Sequence, residues 1–224
     1  VIYRRDRYKT ISVFADLESG VTAKEVNVVL EPWLTTASAS WPQSYEWEFG
    51  GEAETSGKAN DSIGEKLPIA GMIILLLLMF QFNCYRKTAI ILLTIPLGVI
   101  GVVFGLLIGQ SYMGFMTLLG IISLAGIVIN NAIVLIDRIQ IEQNDNGLPL
   151  RQALLTAATR RLRPILLTTA TTVLGMLPLW LGGGVMWEPM AISIIFGLLC
   201  ATVLTLGVVP VLYSVFFHKE FKAS

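Results

Sequence analysis

Charged residues are scarce in this sequence, and long parts of the chain have none. Of its 224 residues 14% are charged and 54% are hydrophobic, and the mean hydropathy is +0.68. Residues 67–85 and 88–136 contain no charge. This composition is too hydrophobic for a soluble domain and predicts a membrane protein in contact with the lipid bilayer. The net charge is zero, so nothing indicates a nucleic-acid partner or an acidic ligand.

Residues that bind metals or form disulfides are also few. The chain has one histidine and two cysteines. Cys84 and Cys200 lie in or at the end of apolar runs and His218 lies in a basic tail, so neither a disulfide nor a metal site is predicted. The sequence has no P-loop, no nucleophile elbow and no paired carboxylates in apolar surroundings. We therefore expect no cofactor and no enzymatic activity.

The first part of the chain, residues 1–66, is more polar and is predicted to form a small α/β segment. Alternating residues over 9–17 predict a strand, and alternating aromatic and acidic residues over 45–49 predict another. Between them a capping box that begins at Thr22 predicts an amphipathic helix, kinked or restarted at Pro32. So small a unit hardly buries its own core, so we expect its sheet to be completed by sequence outside this chain.

The rest of the chain, residues 67–224, is predicted to form a membrane domain of five transmembrane helices. A helix needs about 20 predominantly apolar residues to cross the hydrocarbon core. The predicted spans are residues 67–85, 88–108, 115–137, 164–183 and 190–217. A surface helix is predicted over 149–162. The chain opens at Val1 with neither an initiator Met nor a signal peptide, and we expect it to be part of a longer protein.

The second span carries small residues at helical spacing. These are Gly98, Gly101, Gly105 and Gly109, and the last three form two overlapping GxxxG patterns. Such patterns let two helix backbones approach closely, so we expect this span to pack tightly against a neighbouring helix.

Basic residues predict the orientation of the chain in the membrane. They occupy alternate connections between the spans, at Arg86, Lys87, Arg138, Arg151, Arg160, Arg161, Arg163, Lys219 and Lys222. The positive-inside rule places these connections and the C-terminus in the cytoplasm. With five spans, the α/β segment would then lie on the opposite side, in the periplasm if the cell has an outer membrane.

The third span combines membrane length with a polar stripe. Four of its residues fall near one helical stripe: Ser123, Gly126, Asn130 and Asp137. An amide in hydrocarbon must find a partner, so Asn130 and Asn131 are expected to face other helices rather than lipid. Asp137 lies at the end of the span beside Arg138, which favours an interfacial ion over a proton-relay role. No titratable residue lies in the middle of any span, so the chain has no complete relay of its own.

The fourth span is rich in threonine. Thr168 and Thr172 share a face with Gly175, and Thr171 lies beside them. Two interpretations stay open for these hydroxyls and for the two asparagines. They form hydrogen bonds between helices, or they line a path where a partner helix supplies ionised carboxylates.

Several motifs closely resemble the C-terminal half of resistance-nodulation-division (RND) permeases of the acriflavine-resistance, hydrophobe/amphiphile efflux type. They cover nearly the whole chain in the order of the family. They are EFGGEAE at 48–54, TIPLGVIGVVFGLL at 94–107, GIVINNAIVLID at 126–137, RRLRPILLTT at 160–169 and VLGMLPL at 173–179. Full members have twelve spans in two repeats, and this chain resembles spans eight to twelve.

The resemblance implies a proton-driven drug antiporter in the bacterial inner membrane. Such permeases work as homotrimers, docked to a periplasmic adaptor and an outer-membrane channel. By this likeness residues 1–66 would be the tail of a ferredoxin-like periplasmic porter subdomain. The remainder of the permease, including an acidic pair in its fourth span, would be supplied by sequence outside this chain.

The resemblance also implies which residues serve the proton relay. Asn131, Arg161 and Thr168 match an Asn, an Arg and a Thr that face the acidic pair. The family's Lys position is Asn130 here. This departure removes the ammonium group, so the carboxylates would be held by neutral hydrogen bonds. Some relatives carry the same Asn-Asn form.

Two other interpretations follow from the sequence. A heavy-metal RND permease is one, although the seven methionines are scattered and fit membrane packing better. The other is a truncated membrane remnant that does not transport. The substrate itself is expected to be set by periplasmic pockets, most of which lie outside this sequence.

Overall fold

A computed structural model describes residues 3–5, 7–15, 23–42 and 45–217. The chain separates into two units, residues 1–58 and 59–224. Among the described residues strands occur only in the first unit, and the second is entirely helical apart from its connections.

Two short strands form a hairpin at the start of the first unit. Strand β1 (Arg4–Arg5) pairs antiparallel with β2 (Tyr8–Lys9), and Arg7 in the turn has a positive φ of 73°. The predicted α/β fold class of the N-terminal segment is confirmed by this two-stranded sheet, although its strands are not the predicted ones.

The two longer predicted strands are wrong over the described residues. Of the strand predicted over 9–17 only its first residue belongs to β2, residues 10–15 have no regular structure, and 16–17 lie outside the described residues. Residues 45–49 form no strand. A strand is stabilised by the hydrogen-bond ladder of a neighbour. The Thr10 N–H donates to the Tyr3 carbonyl at 3.0 Å, but no described segment forms a ladder with either stretch. Ile11, Val13 and Phe14 remain about nine-tenths exposed as a result.

Helix α1 (Ala23–Ser38) lies where the amphipathic helix was predicted. It runs through Pro32 without interruption. Thr22, which begins the predicted capping box, lies outside the described residues.

Arg5 connects the hairpin to the segment that follows α1. Its Nε lies 3.0 Å from Oε1 of Glu48, and its Nη2 donates to Glu54. Nζ of Lys58 also donates to Oε1 of Glu54, at 2.5 Å. The hydrogen bonds from Lys58 and Arg5 hold the pKa of Glu54 below its usual value.

Six helices build most of the remaining chain. They are α2 (Glu52–Phe82), α3 (Tyr85–Leu92), α4 (Thr94–Ile108), α5 (Phe115–Asn144), α6 (Leu150–Gly182) and α7 (Gly184–Phe216). Five stretches of these helices are long and apolar enough to cross a membrane: Ser56–Phe82, Tyr85–Ile108, Phe115–Asn144, Leu150–Gly182 and Met186–Phe216. The predicted membrane-protein fold with five such helices is therefore confirmed.

The helix bounds differ from the predicted spans in several places. The first span was predicted over 67–85, but α2 begins at Glu52 and ends at Phe82, and α7 begins at Gly184 and not at residue 190. The stretch Tyr85–Ile108 is divided at Leu93, where α3 ends and α4 begins. Helix α5 continues past the predicted end of its span to Asn144. Helix α6 is one helix that covers both the predicted surface helix and the fourth span. Pro164 is the first residue of the predicted fourth span, and it does not interrupt the helix.

Helix α7 lies at the centre of the helical unit. It packs against α3, α4, α5 and α6. Two hydrophobic clusters pack around it at different positions along its length. One includes Ile136, Ile139 and Tyr213 near the ends of α5 and α7, and the other includes Leu124 and Ile192 nearer their beginnings.

Three glycines of α4, and Gly109 directly after it, lie at helix contacts. A Cβ atom added to Gly105 would lie 2.5 Å from Cβ of Phe196, and one added to Gly109 would lie 2.6 Å from Cδ1 of Ile192. One added to Gly101 would overlap Cys200, and one added to Gly98 would lie 3.2 Å from Cδ2 of Leu124. The small residues thus lie against α7 and α5.

Candidate functional site

Helix α5 has one buried face, and its polar stripe lies on the opposite face. Leu124, Val128 and Leu135 are at most 1% exposed. At about 100° per residue, Gly126 and Asn130 fall on the far side of the helix from these core residues. Both are exposed, as is Ser123, whereas Asp137 is half-buried. The bundle therefore leaves the stripe uncovered along the membrane part of α5.

The two asparagines are in different surroundings. Asn130 is exposed, whereas Asn131 is half-buried toward the core side of the same turn. In the part of the chain that the structure describes, no hydrogen bond joins either side chain to another helix. Their amide groups thus keep their donors and acceptors for groups outside these helices.

The three predicted threonines of α6 satisfy their hydroxyls within the helix. The Thr168 hydroxyl donates to the Ile165 carbonyl at 2.9 Å. The Thr171 and Thr172 hydroxyls both donate to the Thr168 carbonyl at 2.9 Å. None of these bonds reaches a second helix, so these hydroxyls keep only their acceptor capacity for an external partner.

Arg161 precedes Thr168 by two helical turns and lies on the same stripe of α6. Its side chain is half-buried, and its Nε is buried without a hydrogen-bond partner among the described residues. Burying a guanidinium N–H without an acceptor costs folding free energy. We therefore expect an anion or a carbonyl from outside the described chain to accept a hydrogen bond from this atom.

One hydrogen bond between membrane helices was not predicted. The hydroxyls of Thr169 in α6 and Thr202 in α7 lie 2.8 Å apart, and both side chains are buried. Helical spacing offered a signal, because Thr169 lies one turn after Ile165, on the apolar face of α6. The interhelical role therefore belongs to the buried threonine and not to its predicted neighbours.

A buried carboxylate joins α5 to α6, and the sequence analysis missed it. Glu142 is 1% exposed. Its Oε1 accepts from Nε of Arg138 at 2.9 Å, from Nη2 of Arg138 at 2.5 Å and from Nη1 of Arg160 at 2.8 Å. Its Oε2 accepts from Nδ2 of Asn146 at 2.7 Å. The contacts of Glu142 with Arg138 and Asn146 could have been predicted, because these residues are four positions apart on one helix. The contact with Arg160 could not, because it depends on how α6 packs against α5.

No group of three or more His, Cys, Asp or Glu side chains that could hold a metal ion occurs within the described ranges. Cys84 and Cys200 are both half-buried free thiols.

Comparison with known sequences gives matches along almost the entire chain. The sequence model of the AcrB/AcrD/AcrF family matches residues 1–217. The swarming motility protein SwrC of Bacillus subtilis (strain 168) is 34% identical over 215 residues, which cover 93% of this chain and 20% of SwrC. The multidrug resistance protein MdtC of Erwinia tasmaniensis is 30% identical over 201 residues, which cover 88% of this chain and 19% of MdtC.

Solved structures show the same arrangement of helices. Two crystal forms of a heavy metal efflux pump superpose with TM-scores of 0.66 and 0.63, at 27% and 28% sequence identity. The superpositions cover 85% and 84% of this chain and 19% of the pump in each case. The chain thus spans about a fifth of the length of the relatives it matches.

Proposed function

The chain belongs to the AcrB/AcrD/AcrF family of RND permeases, and from this premise we propose that it forms the last five spans of a proton-driven drug or amphiphile antiporter. Export would be coupled to proton entry across the bacterial inner membrane. The chain would take part in transport and would not catalyse a chemical reaction. Two of the proteins it resembles support this proposal by their names, the multidrug resistance protein MdtC and the heavy metal efflux pump.

The observation that supports coupling is the uncovered polar stripe on α5. An amide exposed to hydrocarbon costs several kcal/mol, roughly, unless it finds a partner. Asn130 lies on the stripe and Asn131 lies toward the core side of the same turn, and no hydrogen bond joins either side chain to another helix within the described chain. A missing span with ionised carboxylates would fit this face, because amide N–H groups stabilise a carboxylate by hydrogen bonding.

Helix α6 would supply the second side of the same path. Arg161 and Thr168 share a stripe, and the Arg161 Nε has no partner among the described residues. We propose that the acidic pair of the missing fourth span lies between these groups and Asn131. The proton would then move on the missing carboxylates, and the residues of this chain would orient them and set their charge state.

The domain assignment, the orientation and the assembly of the protein are proposed from its family membership. Residues 1–66 would belong to a periplasmic porter subdomain and 67–224 to the membrane domain, with the C-terminus in the cytoplasm. The parent would assemble as a homotrimer that contacts a periplasmic adaptor and an outer-membrane channel.

We expect Asn131→Ala in the full-length protein to abolish drug efflux, because the amide that orients the carboxylates is lost. The measurement is drug tolerance of a pump-deficient strain, with expression checked by immunoblot. Asn144→Ala is the matched control, because Asn144 is an exposed asparagine at the end of the same helix. Unchanged tolerance in the Asn131→Ala strain at normal expression would remove the role proposed for this residue.

A second candidate function is heavy-metal efflux, favoured by the likeness to the heavy metal efflux pump. The same strain separates the two candidates when it is challenged with divalent metal salts and with amphiphilic drugs in parallel. We expect the wild-type protein to raise drug tolerance and to leave metal tolerance unchanged. The reverse pattern would assign the protein to the metal branch.

A further inference from the structure

Glu142 is the only charged residue in the described part of the chain that is fully buried, with 1% exposure. Its Oε1 accepts hydrogen bonds from Arg138 of α5 and from Arg160 of α6, and its Oε2 accepts from Asn146. A buried ion pair adds little net stability compared with well-packed apolar residues, because both charges lose their hydration. The effect of Glu142 is therefore expected in the geometry that its bonds impose on α5 and α6.

Helix α6 is attached to its neighbours on opposite sides. Nη1 of Arg160 lies 2.8 Å from Oε1 of Glu142 on α5, and the Thr169 hydroxyl meets the Thr202 hydroxyl of α7 at 2.8 Å. Arg160 and Thr169 are nine positions apart, so they lie about half a turn from each other around the helix axis. Two attachments on opposite sides, to two different helices, hold α6 against rotation about its own axis.

Arg161 and Thr168 lie between these two attachments. Each directly neighbours an attached residue in the sequence, and both lie about a quarter of a turn from Arg160 around the helix axis. They are the two residues of α6 that the proposed coupling path uses. Because the rotation of α6 sets the direction of both side chains, a turn of the helix would carry both away from the missing carboxylates.

Glu142 also separates the roles of three neighbouring arginines. Arg138, Arg160 and Arg161 line one cavity with a volume of about 240 Å³. Like charges that line one cavity repel each other, and Glu142 compensates two of them through its ion pairs with Arg138 and Arg160. Arg161 forms no ion pair among the described residues, so it is the arginine of this group that stays available to the coupling path.

We infer that Glu142 is a positioning residue for the coupling site, because its bond to Arg160 fixes the rotation of α6 and so directs Arg161 and Thr168 toward the missing acidic pair. This inference rests on the proposed function, since Glu142 has this role only if Arg161 faces that pair.

Helices other than α6 bring no charged partner to Glu142 in the described ranges. Helix α4 has no charged residue, and Glu188 lies at the opposite end of α7. Arg86 and Lys87 of α3 form no ion pair with Glu142, and Arg86 donates instead to a backbone carbonyl at the end of α7. The attachment between Glu142 and Arg160 is thus the ionic link between α5 and its neighbours at this end.

The test is the pH dependence of transport by the full-length protein in proteoliposomes at a fixed proton gradient. Ethidium is the probe, and zinc sulfate replaces it if the protein exports metal ions. The quantity compared is the midpoint, the pH above which the initial rate falls to half. Arg161→Gln should raise the midpoint by about one pH unit, because losing a nearby positive charge raises the pKa of the missing carboxylates.

Glu142→Gln should also raise the midpoint, because Arg161 is no longer held against the missing pair. Its direct effect as a charge has the opposite sign, since losing a negative charge lowers the pKa of nearby carboxylates. A higher midpoint therefore reports the displacement of Arg161. In an Arg161→Gln background, Glu142→Gln should add no further shift, because no guanidinium group is left to position.

Arg160→Gln is the second variant if the Glu142→Gln protein does not accumulate, because Arg160 is 56% exposed. Alone it should raise the midpoint, and in the Arg161→Gln background it should add nothing. Arg160→Lys should recover most of the wild-type behaviour, since an ammonium group still pairs with Glu142. Asp145→Asn is the matched control. Asp145 is an exposed carboxylate directly after α5 and forms no ion pair within the described chain, so its variant should keep the wild-type midpoint.

The outcomes separate this inference from the proposed function. An unchanged or lowered midpoint in Glu142→Gln, with the Arg161→Gln shift present, would overturn the inference and leave the proposed function standing. A further shift in either double variant would also overturn it, because Glu142 or Arg160 would then act without Arg161. An unchanged midpoint in Arg161→Gln would overturn the coupling role of Arg161 and, with it, the positioning role of Glu142.

Discussion

At the scale of single residues, the threonines of α6 show how far side-chain type can predict a role. Four threonines lie within residues 168–172, and all have the same hydrogen-bonding groups. Only Thr169 points to another helix, where it meets Thr202, and the hydroxyls of the others bond to their own backbone. Residue type predicted polar contacts in this helix, but helical phase relative to the core decided which residue makes them.

We therefore predict that Thr169→Val destabilises the protein by about 0.6–2 kcal/mol, because the buried hydroxyl of Thr202 loses its partner. The measurement is thermal unfolding of the purified protein in detergent. Thr171→Val is the control: the hydroxyl of Thr171 is exposed and bonds within its own helix, so little change is expected. The double variant Thr169→Val/Thr202→Val should be less destabilised than the sum of its single variants. An additive result would contradict an interhelical bond.

The polar residues of α5 also show what helical spacing can and cannot predict. The stripe of Ser123, Gly126 and Asn130 was predicted from helical spacing, and the structure leaves these three positions exposed together. Spacing did not reveal Glu142 as a shared acceptor, because Arg160 reaches it from another helix. Sequence reasoning thus finds polar groups that share a helix and misses those that meet through packing.

At the scale of elements, long apolar helices were predictable and isolated strands were not. Each membrane helix satisfies its own backbone hydrogen bonds, so hydropathy and length suffice to find it. A strand depends on a partner, and the stretches 10–15 and 45–49 have none among the described residues. The prediction also divided α6 into a surface helix and a separate span. Pro164 removes only one backbone donor, and the residues on both sides of it continue the same helix.

The contact between α4 and α7 gives a prediction at the same scale. Gly105→Ala should destabilise the helical unit by about 1–3 kcal/mol, because the new methyl group would overlap Phe196. Gly207→Ala, on α7, is the matched control, since nothing lies within 4 Å of a Cβ atom there. Thermal unfolding of both variants in the same detergent provides the measurement. Equal stability of the two variants would show that the α4 and α7 backbones are not in close contact.

At the scale of the whole molecule, the position of the basic residues predicts which ends of the helices face the cytoplasm. The connection between α4 and α5 has no Lys or Arg, whereas Arg86 and Lys87 lie in the first turn of α3, and Arg138 and Arg151 lie near the end of α5 and the start of α6. The positive-inside rule follows from the sequence alone. It therefore predicts topology without any knowledge of how the helices pack.

We predict that a cysteine at Met113 is labelled by a membrane-impermeant maleimide in intact cells after the outer membrane is permeabilised. A cysteine at Gln152 should be labelled only after the inner membrane is disrupted. Both positions are exposed in the structure. The experiment replaces Cys84 and Cys200 by Ala in the full-length protein, so that each variant has one thiol in this region. The opposite labelling pattern would reverse the proposed orientation.

The continuity of α6 has a consequence for its place in the membrane. At about 1.5 Å per residue, the 33 residues of this helix make a rod of about 50 Å, longer than the hydrocarbon core of about 30 Å. Arg160 and Arg161 lie about a third of the way along the rod, and Trp180 lies near its far end. About 20 Å of α6 must therefore extend beyond the hydrocarbon, as one continuous helix with the part that crosses it.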